Sequence, residues 1–238
     1  MQHLCRIRQV VQRRRRAICR LIIAIDGPAG AGKSTVAREV ARELGLTYID
    51  TGAMYRAVAL LALRQGINFD DRAGLAALAR ESKIDFIETL NGYRTHLNGE
   101  DVTEAIREPA VSRVVSLVAR LPEVRRHLVQ LQRQMAAQGG VVMEGRDIGT
   151  YVLPWADKKF FITASVQERA RRRYEELLGK GVHVPLQELI SEIEDRDRLD
   201  RSRTVAPLVP AADALVIDTT GKTVREVVEL VVREVHKG

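Results

Sequence analysis

"IIAIDGPAGAGKSTVAREVAREL", residues 22–44, decides the fold. Five residues biased to apolar type end at Asp26. Three glycines then fall within six positions, and a charged, amphipathic pattern follows. A buried strand, a tight turn and a helix produce that order. From Gly27 to Ser34 the spacing is glycine, four residues, glycine, lysine, serine, that of a phosphate-cradling loop. Gly27, Gly30 and Gly32 let backbone N–H groups turn inward, and a helix opening near Lys33 adds its positive end. Lys33 reaches the β- and γ-phosphates of a nucleotide, the Ser34 hydroxyl ligates Mg²⁺, and Thr35 continues the first turn. Gly27, Pro28, Ala29, Gly30, Ala31, Gly32, Lys33, Ser34 and Thr35 are thus the expected phosphate site. A chance match in a glycine-rich turn is the bland alternative, and the flanking strand and helix argue against it.

Working outward, five short apolar segments read as buried parallel strands: 21–26, 47–50, 141–144, 159–163 and 214–218. Helical patterns lie between several of them, most clearly 33–44 and 166–178, and a last helix spans about 224–236. This alternation predicts an α/β fold with a five-stranded parallel sheet covered by helices on both faces. Two regions break it. Residues 63–108 contain a helical pattern and then short alternating segments around Asn91-Gly92 and Asn98-Gly99, which predicts a small antiparallel insert. Residues 179–203 are dense in charge and end in "DRDRLDRSR".

The chain has 238 residues and a net charge of +7, which invites a nucleic-acid reading. Seven arginines and no acid lie in residues 1–20; without them, 31 basic residues face 31 acidic. The excess charge therefore belongs to the tail, which reads as a disordered, dispensable extension. Contact with nucleic acid or an anionic surface, and targeting, are the alternatives for it. Cys5 and Cys19 also lie there, so the body carries no disulfide framework and a reducing, cytoplasmic setting is expected. No apolar run approaches the roughly 18 residues that span a membrane.

A phosphate loop alone does not choose between a GTPase, a motor and a small kinase. The absence of an Asn-Lys-x-Asp segment and the modest length favour a kinase for a small molecule. Ligands of open α/β sheets collect at the carboxyl edge of the strands. "YIDTGAMYR" places Thr51, Tyr55 and Arg56 there, where Arg56 can fork onto an acceptor phosphate; opening a surface helix is the alternative. "VVMEGRDIG" places Glu144 where a carboxylate can order a water of Mg²⁺. Arg146 and Asp147 follow, suited to phosphate and to an exocyclic amine, or simply to a structural ion pair. Arg196, Asp200 and Arg203 are four and three residues apart, which on a helix puts them on one side. They are either a solvated face or a lid that brings positive charge to a moving phosphoryl group.

Five segments in this order, "IDGPAGAGKST", "YIDTGAMYR", "LNGEDVTEAIR", "EGRDIGT" and "RDRLDRSRTVAPLVPAADALVIDT", resemble the bacterial cytidylate kinase family from about Leu21 to the end. The resemblance implies the nucleoside monophosphate kinase fold, with a core of residues 21–62, 109–178 and 204–238, an acceptor-binding insert at 63–108 and a lid at 179–203. It implies transfer of the ATP γ-phosphoryl group to CMP or dCMP with Mg²⁺, by a monomer. Carried over, residues 27–35 bind ATP, while Thr51, Tyr55, Arg56, Ser116, Arg125, Arg146 and Asp147 surround the cytidylate. Asp147 and Arg125 read the cytosine edge. Arg196, Asp200 and Arg203 act from the lid and acceptor side, with Asp200 also near the ribose. Lys33, Arg146, Arg196 and Arg203 form the catalytic set, and Ser34 and, through water, Glu144 hold the metal. Arg172 and Arg173 either face the donor phosphates or are helix-surface charge. Glu144 stands where Asp is also common, and the first twenty residues have no counterpart.

Two rivals stay open at this point. One is a kinase for UMP, AMP or another small acceptor. The other is a nucleic-acid-binding protein regulated by ATP, which a neutral body with 4% aromatic residues disfavours.

Overall fold

The structure, a computed structural model, describes residues 20–89, 92–179 and 181–237. The expectations for the basic extension, apart from Arg20, and for Asn91 lie outside the described residues.

Strands β1 (Ile22–Asp26), β2 (Thr47–Asp50), β6 (Val141–Glu144), β7 (Lys158–Thr163) and β8 (Leu215–Asp218) form the parallel sheet, in the order β2-β6-β1-β7-β8. The middle strands are near-continuous apolar runs because both of their faces are covered. On one face, helix α1 (Lys33–Leu44) and the last helix, α8 (Val224–His236), lay Val36, Val40, Val228 and Val231 over Ile23, Ile25, Val142 and Phe160. Helix α1 stops because Gly45 takes a left-handed conformation (φ 66°). Helix α8 starts at a reciprocal cap between Thr223 and Glu226. On the other face, Ala24, Ile49 and Met143 meet Val129 and Ala136 of α5 (Pro122–Ala136).

Helix α2 (Thr51–Arg64) follows β2 with no intervening loop, because the Asp50 carboxylate caps it by accepting from the Ala53 amide at 2.8 Å. Helix α3 (Arg72–Glu81) leads into strands β3 (Ile84–Thr89), β4 (Gly92–Leu97) and β5 (Glu100–Asp101), an antiparallel sheet as the turn dipeptides predict. The β4–β5 turn has positive φ at both Asn98 (52°) and Gly99 (87°), the primed hairpin geometry. A 3₁₀ turn (Ala105–Arg107) and α4 (Pro109–Ala119) follow. One apolar cluster joins α2, α3, α4 and α5 through Met54, Leu75, Ile106, Val111 and Leu128.

Helices α6 (Val166–Gly179) and α7 (Leu186–Arg201) pack through Ala170, Leu177, Leu189 and Ile193. The sequence placed Arg196, Asp200 and Arg203 on one helix, but α7 ends at Arg201, so Arg203 belongs to the segment beyond it. Among the described residues no helix is long and apolar enough to cross a membrane.

Candidate active site

The chain leaves β1 toward one edge of the sheet and crosses to the other side of β1 between β6 and β7. A crevice forms at such a reversal, at the carboxyl ends of the strands. The loops after β1, β2 and β6 and the start of α6 converge there.

After β1, Gly27, Gly30 and Gly32 all have positive φ, at 143°, 76° and 86°. Gly27 is required for space as well: a Cβ there would lie 1.9 Å from the Ile162 carbonyl oxygen of β7. Lys33 is buried, and its ammonium donates to the Pro28 carbonyl at 2.7 Å. Burial, followed by the nearby Arg146, pushes Lys33 down to about 7. A bound polyphosphate would reverse that bias by supplying the missing negative charge.

Past the end of β2, Arg56 donates to Asp50 at 2.7 Å from the first turns of α2, beside the buried Tyr55 and Thr51. Arg125 of α5 and Asp147 form a buried ion pair, and a second guanidinium nitrogen of Arg125 reaches the Ala119 carbonyl at 3.4 Å. Burial raises Asp147, and Arg125 and Arg203 pull it back. Ser116 stands half-buried on α4, one turn before Ala119.

Asp200 gathers two arginines. It accepts from Arg146 at 3.0 Å and from Arg203, so Arg203 joins the cluster from beyond the helix end. Burial alone would raise Asp200, yet Arg146, Arg203 and Arg196 hold it below the usual carboxylate range. Arg196 is pushed down to about 10 by burial and then by Arg146. The buried Nε atoms of Arg56, Arg125 and Arg196 have no hydrogen-bond partner among the described residues. Orphaned cationic donors in one crevice fit anionic ligands. The solvated-face alternative fails for Asp200, which is buried, and Arg196 is half-buried with its Nε out of reach of solvent.

Three features, at Asp26, Arg169 and Tyr48, were missed. Asp26 accepts from the Ile148 and Gly149 amides at 2.8 and 2.7 Å, tying the segment after β6 to the start of the phosphate loop. Burial pushes it up to about 7 against those two donors. Arg169 forms a buried two-pronged pair with Asp197 (3.0 and 2.7 Å) and donates to the Ala29 carbonyl at 3.2 Å, so it joins α6, α7 and the phosphate loop. Tyr48 donates to Glu144. Arg172 donates to Thr219 at 2.8 and 3.1 Å and comes near Gly32, whereas Arg173 pairs along its own helix with Glu176.

For a metal, the relevant donors are the Ser34 hydroxyl and the nearby Glu144 carboxylate, raised by burial and by Asp50. One hydroxyl and one carboxylate are hard oxygen donors that suit Mg²⁺, an ion that keeps much of its water. They form no cage: among the described residues no three His, Cys, Asp or Glu side chains cluster for a metal.

A parallel sheet with a phosphate loop after its central strand, facing an arginine-lined crevice, defines a phosphate-loop kinase. The sequence model of the cytidylate kinase family matches residues 23–237. A cytidylate kinase of Pelotomaculum thermopropionicum is 58% identical over 91% of this chain and 96% of its own length. That of Bacillus subtilis is 50% identical over 92% and 97%. The chain belongs to the cytidylate kinase family and is a kinase. A solved structure of an uncharacterized protein from Eubacterium ventriosum shares the fold at a TM-score of 0.51, with 11% identity over 92% of this chain and 100% of that one.

Proposed function

We propose that this enzyme transfers the γ-phosphoryl group of ATP to CMP and dCMP, directly and in line, giving ADP and the pyrimidine diphosphate. The buried Arg125–Asp147 pair, set beside arginines with unpaired buried donors, carries this reading. A carboxylate there accepts from the exocyclic amine of cytosine and opposes the carbonyl that uracil presents. Residues 27–35 hold the ATP phosphates, with Lys33 on the terminal two. Thr51, Tyr55, Arg56 and Ser116 line the acceptor, and Asp200 orients Arg146 and Arg203 while facing the ribose. An acceptor phosphate oxygen is already ionised at neutral pH, so no strong general base is required. The chain's task is to align the reactants, exclude water and neutralise charge with Lys33, Arg146, Arg196 and Arg203. Mg²⁺, when bound, offsets donor phosphate charge; Ser34 would ligate it directly and Glu144 through water. The cysteine-free body supports a cytoplasmic setting, and we propose a monomer.

A coupled ADP-release assay across CMP, dCMP, UMP, AMP and GMP tests the assignment. CMP and dCMP should give the highest kcat/KM. A preference for UMP or AMP would replace it with a kinase for another monophosphate.

A further inference from the structure

Arg125 is held by more than its ion pair. Its guanidinium carbon lies 5.8 Å from the centre of the Tyr55 ring and 5.7 Å from that of Tyr151. Tyr151 belongs to the single π turn Ile148–Val152, and its amide donates to the Asp147 carbonyl at 2.9 Å. The ring against Arg125 is thus carried by the same turn of chain as Arg125's own carboxylate partner.

The far end of that turn is anchored too. Arg133, two helical turns beyond Arg125 on α5, donates to the carbonyls of Tyr151 at 2.8 Å and Val152 at 2.9 Å. Its guanidinium carbon lies 6.0 Å from the Tyr151 ring centre and 5.6 Å from that of Trp155. Helix α5 therefore grips the turn twice, through Arg125 on Asp147 and through Arg133 on the carbonyls. Both guanidinium carbons thus lie within 6.0 Å of the centre of the Tyr151 ring. Beside its ion pair, Arg125 has a long bond of 3.4 Å to the Ala119 carbonyl and a buried Nε with no partner among the described residues, which leaves the plane of its guanidinium free to tilt. Contact with the Tyr55 and Tyr151 rings restrains it.

We propose that Tyr151, backed by Arg133, is a specificity-determining positioning residue: it holds the Arg125 guanidinium in the orientation that lets the Arg125–Asp147 pair separate cytosine from uracil. This rests on the reading that the pair recognises the base. Tyr151 itself transfers nothing and is partly exposed, so its loss acts through Arg125 and not through the phosphoryl-transfer machinery.

The test uses the full chain and compares Tyr151→Ala, Tyr151→Phe, Arg133→Gln and Asp147→Ala, with kcat and KM measured for CMP, UMP and ATP. Tyr151→Ala should raise KM for CMP and lower the CMP:UMP ratio of kcat/KM by about fivefold to tenfold, the scale of one lost cation–π contact. Its kcat with CMP and its KM for ATP should stay within about twofold of the parent. Tyr151→Phe keeps the ring and should keep the parental ratio. Arg133→Gln, which leaves the ring in place, should shift the ratio in the same direction by a smaller factor. A parental ratio in Tyr151→Ala, or a matching rise in KM for ATP, would overturn the positioning role. A parental ratio in Asp147→Ala would remove the base-reading premise, a separate failure that brings this proposal down with it.

Discussion

Replacing Asp197 with alanine should destabilise the enzyme far more than loss of a surface ion pair. Asp197 and Arg169 are both buried, with side-chain exposures of 6% and 2%, and are joined by two hydrogen bonds of 3.0 and 2.7 Å. The substitution leaves a guanidinium in the interior without its counter-charge, which costs about 3–5 kcal/mol. Arg169 keeps the Ala164 carbonyl at 3.0 Å and the Ala29 carbonyl at 3.2 Å, so the lower end, about 3 kcal/mol, is expected. For a chain of this length that is a fall in Tm of roughly 6–12 °C. Thermal unfolding of the full chain by calorimetry at pH 7 reads it. KM for ATP should rise as well, because the same guanidinium steadies the phosphate loop at Ala29. Arg169→Met combined with Asp197→Leu removes both charges and should recover much of the lost stability. A loss under about 1 kcal/mol, the scale of an exposed pair, would refute the reasoning, as would a double variant no more stable than the single.

Two further outcomes are expected. Gly27→Ala places a methyl 1.9 Å from the Ile162 carbonyl oxygen, so it should cost at least about 2 kcal/mol in thermal unfolding and weaken ATP binding in titration; parental values for both would contradict the loop geometry. Asp26 ionises near 3.8 in the unfolded chain and only at about 7 in the fold, so its contribution to stability is full below 3.8 and lost as pH rises to about 7. Asp26→Asn should therefore flatten the pH dependence of urea unfolding between pH 4 and 7 by up to about 1.4 kcal/mol per pH unit; parallel curves would count against the shift.

Most of the sheet and its helices were legible because each strand is a short apolar run with clear punctuation. The runs 47–50 and 141–144 and the helices 33–44 and 224–236 match the structure to the residue. The ends of β1, β7 and β8 differ by one position, where Leu21, Lys158 and Ala214 could be read either way. Arg203 was misplaced because spacing alone carries a helix past its end. Arg169 was hidden inside "ERARRRY", where Arg172 and Arg173 drew the attention, because periodicity along α6 cannot say that Asp197 would be buried opposite. Asp26 looked like the polar end of a strand, and its amide partners lie 122 and 123 residues further on. Tyr151 had no signal of its own, since its value comes from two arginines on another helix. Local pattern reports what a segment is; these groups are defined by what the fold sets against them.

The most direct measurement of the account is the rate of CDP formation from ATP and CMP by Lys33→Ala beside the parent chain. The account predicts a fall of several orders of magnitude in kcat with the protein still folded. A folded Lys33→Ala enzyme that forms CDP at a near-parental rate would contradict it.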